Sequence, residues 1–184
     1  EWGWPFPTQA GKKILSDPPH RNALFRVGTG FSKAAVVLTK YMVSWRDFDF
    51  QFPMIMNSAL AGEIYLKCVC LIRSGGLLKT GHDLKLLFEK LPDADRRAIE
   101  NIYNRMVENS PMVQKMKEID PAIDFCLLST LTEVGDTFKR WRYLWENEPT
   151  RRTVPSELVN ALREHLLAID PELDTPIDAR IRQI

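Results

Sequence analysis

Between residues 120 and 146 the apolar side chains return in steps of three and four: Ile123, Leu127, Leu131, Val134, Phe138, Trp141 and Trp145. Only an α-helix gathers such a series onto one stripe, because 3.6 residues per turn stacks positions i, i+3, i+4 and i+7. Asp120 reads as an N-cap and Pro121 as the first helical residue, where a missing N–H costs nothing. Pro149 is the stop. The spacing therefore predicts one long helix whose stripe is the seam of a bundle or of a helix-mediated dimer.

The same reasoning carries along the chain. Thr29 or Ser32 can cap a helix running to about Arg46, with Val36, Val37, Lys40, Tyr41 and Ser44 around a mostly apolar face. A second helix is expected over 54–73, with Met56, Leu60, Ile64, Cys68, Leu71 and Ile72 as its buried face and Gly75-Gly76 as its end. Thr80 to Asp83 opens a short helix, Leu84–Leu91, which Pro92 stops. Asp93 and Asp95 put negative charge into the first turn of the next, where the macrodipole favours it. Ile99, Ile102, Tyr103 and Met106 form its stripe, and Asn109-Ser110-Pro111 breaks it. A last helix over 155–169 carries Leu158, Leu162, Leu166 and Ile169. Sustained period-two alternation of β-branched residues is missing. The expectation is an all-α, antiparallel helical bundle of about five to six helices, forming one domain over residues 29–170. Residues 1–28, with Trp2, Trp4, Phe6 and prolines at 5, 7, 18 and 19, read as an irregular arm, and 171–184 as a tail.

The totals narrow the function. A chain of 184 residues can close one core without staples. With 25 Lys and Arg against 24 Asp and Glu, it exerts no global pull on nucleic acid or membranes. Cys68 and Cys70 stand two apart on a helix and point to different sides, and Cys126 is remote, so neither a disulfide framework nor a shared metal is expected. Apolar runs fall short of the roughly 18 residues of a membrane span, and no secretory signal is visible. A cytoplasmic protein without a cofactor is the expectation. Gly28-Thr29-Gly30-Phe31-Ser32-Lys33 lacks the Gly-Lys-Ser/Thr ending and the preceding strand of a phosphate loop.

Three constellations can carry chemistry. Glu63 and Lys67 form an i,i+4 pair, worth about 0.2–0.5 kcal/mol on an exposed face and able to organise a polar site beside a buried seam. Thr80-Gly81-His82-Asp83 is most simply a helix cap, yet His82 carries the side chain that exchanges a proton near neutral pH. Lys139 to Glu146 interleaves Arg140, Arg142 and Tyr143 with Trp141 and Trp145, a mixture suited to phosphate and base recognition. His165, beside the seam of the last helix, reads as core or surface.

Ser58 to Lys67, Gly81 to Phe88 and Phe138 to Glu146 together resemble the HEPN family. Its members show a Glu-x-x-x-Lys helix, a His-Asp-Leu start to a short helix, and a long helix with an aromatic-Arg-Tyr cluster. The likeness covers roughly residues 30–147. It implies a helical bundle that dimerises through its helices, with RNA, a nucleotide or a protein as partner. Many members are metal-independent ribonucleases of toxin–antitoxin, defence or RNA-processing systems, with an arginine followed four to six residues later by a histidine. Here Arg142 is followed at those distances by Asn147, Glu148 and Pro149, and Arg140 by Trp145, Glu146 and Asn147. Asparagine cannot accept a proton at neutral pH. The resemblance thus implies a degenerate, non-catalytic binding module, with Glu63, Lys67, His82, Asp83, Arg140, Arg142 and Tyr143 around its ligand. The alternatives are a ribonuclease with a rearranged site, using Arg142 with His82 or Glu146, and a structural helical protein.

Overall fold

In the computed structural model, residues 18–75, 81–140 and 155–175 are described. They form seven α-helices: α1 Pro18–Trp45, α2 Gln51–Ser74, α3 Leu84–Glu89, α4 Asp93–Asn109, α5 Pro111–Ile119, α6 Leu127–Arg140 and α7 Pro155–Ile169. Single 3-10 turns follow at Phe48–Phe50 and Pro171–Asp174. The described residues contain no strand, so the chain is an all-α bundle.

α2 is the axis of the fold. Ser58, Ala59, Ala61, Gly62, Glu63, Tyr65, Leu66, Cys68, Val69, Cys70 and Leu71 are all buried, so the helix is enclosed around most of its circumference. Of the face expected to be buried, Cys68 and Leu71 are buried, whereas Met56, Leu60, Ile64 and Ile72 are only partly so. A helix contacted on several sides has no single stripe for periodicity to find. By length and composition alone α2 qualifies as a membrane span, contrary to the expectation from apolar runs, and 61% of its most apolar window is buried against the rest of the protein.

α1 packs antiparallel along α2 and starts at Pro18, eleven residues before Thr29, the first of the two expected caps. Two prolines are tolerated there because first-turn N–H groups have no helical acceptor. Gly28 and Gly30 do not break it. Gly28 marks a close approach instead: a Cβ there would stand 2.7 and 2.8 Å from ring carbons of buried Tyr65. Phe25 stacks on the same ring at 5.5 Å, and Thr29 Oγ1 lies 3.1 Å from the Tyr65 hydroxyl. The expected arm thus shrinks to residues 1–17, which lie outside the described residues. The first part of the expected tail also belongs to the bundle. Leu173 is fully buried, Arg26 donates to the Thr175 carbonyl at 2.7 Å, and Arg163 pairs with Asp174 at 2.8 Å.

The long helix expected from Asp120 starts later than expected. Asp120 Oδ1 accepts from the Ala122 amide at 3.1 Å, a turn rather than a cap, and the helix begins seven residues later at Leu127. Asp124 makes that start: its carboxylate accepts from the Cys126 amide at 2.9 Å and from the Ser129 hydroxyl. The residues before the turn form α5, absent from the sequence reading. Ser110 caps it by accepting from Val113, and Pro111 takes the first helical position. The tripeptide read as a break is a junction between two helices, which raises the count to seven. Leu127, Leu131 and Val134 of the expected seam are buried. Trp141 and Trp145 lie outside the described residues.

Candidate functional site

The middle of α2, the start of α3 and the C-terminal half of α6 meet at Leu84. A Cβ at Gly62 would stand 3.7 Å from Leu84 Cδ1, and one at Gly135 would stand 3.2 Å from the Leu84 amide nitrogen. Small residues on both sides let the three backbones close on a fully buried leucine. Glu63 therefore follows a buried glycine on α2, and His82 precedes that leucine by two residues.

That packing brings two of the sequence candidates onto a third. Glu63 is buried, its side chain 6% exposed, and its two carboxylate oxygens are divided between partners. Oε1 accepts from Lys67 Nζ, and Oε2 lies 2.8 Å from His82 Nδ1. A carboxylate oxygen accepts, so His82 Nδ1 donates in this bond. The His82 side chain is 67% exposed and that of Lys67 22%. The cluster thus pairs a covered anion with a donor-bearing rim open to solvent. A carboxylate in that position holds the imidazole in one orientation by accepting from its ring N–H.

Asp83 takes the capping role. Its side chain accepts from the Leu86 amide at 3.0 Å, fixing the start of α3 and with it the direction of His82. Arg140 is the last residue of α6, five residues or about 7.5 Å of helix beyond the Gly135 contact. Arg142, Tyr143 and Glu146 lie outside the described residues.

Sequence reasoning missed a second polar cluster. Asp95 is 2% exposed and receives Arg73 through Nε at 2.8 Å and Nη2 at 2.7 Å, while His165 Nε2 lies 3.0 Å from Oδ1. Burial alone would push the Asp95 carboxyl up, but the Arg73 hydrogen bonds and charge, aided by His165, outweigh it and hold the carboxyl below its ordinary range. Burial drives the His165 ring the other way, below its usual value, only partly offset by Asp95. Asp95 and His165 are almost fully covered while Arg73 is partly exposed, and the cluster ties α2, α4 and α7 together. The spacing of Arg73, Asp95 and His165 gives no local sequence signal.

A cleft of about 350 Å³ between α3, α4 and the start of α6 is lined by Phe88, Glu89, Arg96, Arg97 and Leu128 among others. Glu63, Lys67 and His82 do not line it. Among the described residues no three His, Cys, Asp or Glu side chains converge as a metal-binding group. Compared with protein-family models, with curated proteins and with solved structures, the chain matches none.

Proposed function

We propose that the chain is a degenerate, non-catalytic HEPN-like module that binds RNA or a nucleotide through phosphate at the Glu63–Lys67–His82 cluster, as a homodimer in the cytoplasm. The observation that supports it is the division of one buried carboxylate between Lys67 and His82. Two segments that the resemblance rests on, Glu-x-x-x-Lys and His-Asp-Leu, meet in that contact. Donors held in place before a ligand arrives lose little freedom on binding, and a phosphate oxygen rewards such preorganisation. Arg140 and Arg142 add guanidinium contacts in this reading, and Tyr143 supplies a stacking ring. With a net charge of +1, binding depends on this local group rather than on a basic surface.

One observation favours the enzyme reading as the alternative. The buried Glu63 carboxylate orients the exposed His82 ring, the arrangement in which an imidazole serves acid–base chemistry on a ribose 2′-hydroxyl. A single experiment separates the two. Labelled single-stranded and structured RNA is incubated with the protein, with and without chelator, beside His82→Ala and Arg142→Ala, and binding is followed by anisotropy. Intact RNA with binding weakened in both variants is the expected result. Chelator-resistant cleavage lost in both variants establishes the ribonuclease. RNA neither bound nor cut overturns both readings.

A further inference from the structure

The cleft between α3, α4 and the start of α6 lies apart from the Glu63 cluster. Its volume of about 350 Å³ is at the small end of the roughly 300–1,000 Å³ of ligand pockets. α4 supplies its charged surface. Asp93, Arg96, Arg97 and Glu100 stand at i, i+3, i+4 and i+7, the spacing that puts side chains on one face of a helix, and all four line the cleft. α3 and α6 supply apolar surface: Phe88 and Leu127 are almost fully covered, and Leu128 is 47% exposed.

The charges around the cleft are unequally satisfied. Arg96 Nη2 donates to Asp93 Oδ1, so these two serve each other. Arg96 Nε is buried with no hydrogen-bond partner among the described residues, an exception in a folded protein that calls for an acceptor. Glu89 faces Lys85 at 4.0 Å. Arg97 and Glu100 join no ion pair among the described residues. One guanidinium and one carboxylate thus stand a helical turn apart, about 5–6 Å between Cβ atoms, beside apolar surface.

We infer that this cleft binds a free α-amino acid with a large apolar side chain. The ligand's carboxylate meets the Arg97 guanidinium, whose planar fork matches it, and gives Arg96 Nε its acceptor. Its ammonium meets Glu100. Both ligand charges hang on one carbon, so they suit two side chains that are neighbours on one helix face. The ligand side chain leaves water for Phe88, Leu127 and Leu128. Net charge decides against a plain anion. Glu89, Asp93 and Glu100 already outnumber Arg96 and Arg97, so a phosphate or a simple carboxylate would add to an excess of negative charge. A zwitterion adds none.

The test is titration calorimetry of the full chain with L-phenylalanine and L-leucine. Saturable binding with a dissociation constant at or below about 1 mM is expected. Arg97→Gln and Glu100→Gln, both at exposed positions, should each weaken it about tenfold or more and leave the melting temperature unchanged. N-acetylphenylalanine lacks the ammonium, phenylalanine amide the carboxylate and glycine the apolar group, and each should bind about tenfold more weakly or worse. No heat from either amino acid at about 10 mM overturns the inference. Binding that neither substitution alters overturns the location, and N-acetylphenylalanine binding as tightly as phenylalanine overturns the zwitterion.

Discussion

His82 Nδ1 lies 2.8 Å from Glu63 Oε2, a contact between residues nineteen apart on different elements, in which a buried carboxylate aims an exposed ring. The two ends of this bond differ in what they support. Removing His82 takes away an exposed group, whereas altering Glu63 unsettles both Lys67 and His82.

His82→Ala should therefore leave the melting temperature within about 2 °C, as exposed substitutions usually change stability by less than about 0.5 kcal/mol. The same change should weaken RNA or nucleotide binding about tenfold or more, the loss of one charge-assisted contact of about 1.5–3 kcal/mol. Glu63→Gln should weaken binding comparably and also lower the melting temperature by several degrees, because Lys67 loses its covered anion. Calorimetry and anisotropy on the same samples check both. Equal melting losses in the two variants would mean His82 is structural.

How much of this was readable before folding depends on the range of the physics involved. Glu63, Lys67 and His82 were legible as short local patterns, and Asp83 as a cap, because an N-cap acts over three residues. The existence of α5 and the start of α6 at Leu127 were not legible. Asp120-Pro121 is as good a helix start on paper as Asp124 with Ser129, and only the packing of Phe125 and Leu127 into the core decides between them. Asp95 was read as a first-turn acid, which it is. Its burial against Arg73 and His165 depends on how α2 and α7 cross α4, beyond any local pattern.

That buried cluster makes stability depend on pH in a definite direction. His165 has a folded pKa below its unfolded value of about 6.5, so the unfolded chain binds the proton first. Its contribution is complete above about pH 6.5 and declines as pH falls toward the folded value. Asp95 has a folded pKa below its unfolded value of about 3.9, so its contribution is present above that value and is lost as pH falls through the folded pKa. Melting temperature should thus fall in two stages on acidification, the first beginning near pH 6.5. His165→Gln should flatten the first stage and leave the second. A melting temperature that is constant from pH 7.5 to 5 would show that His165 does not report on folding.

Two glycines on α1 should respond to alanine with opposite signs. Around Gly30 a Cβ would meet nothing within 4 Å, so Gly30→Ala should stabilise by about 0.5–1 kcal/mol through helix propensity. At Gly28 the new methyl would run into the Tyr65 ring, itself held by Phe25 and Thr29. Gly28→Ala should destabilise by about 1–3 kcal/mol, overpacking outweighing propensity. Urea unfolding of the two variants settles it. A stabilised Gly28→Ala would show that α1 and α2 do not approach this closely.

Thiol chemistry should separate the three cysteines cleanly. Burial pushes Cys68 up to about 12 and Cys70 up to about 11, so neither carries meaningful thiolate at neutral pH, and both are covered by neighbouring helices. Cys126 is exposed where α6 begins. A chromogenic disulfide reagent at pH 8 should titrate one thiol per native chain within minutes, and three in denaturant. Cys126→Ser should abolish the native reaction. Rapid reaction of two or three native thiols would mean that α2 is accessible to reagent, which a central helix enclosed by its neighbours does not allow.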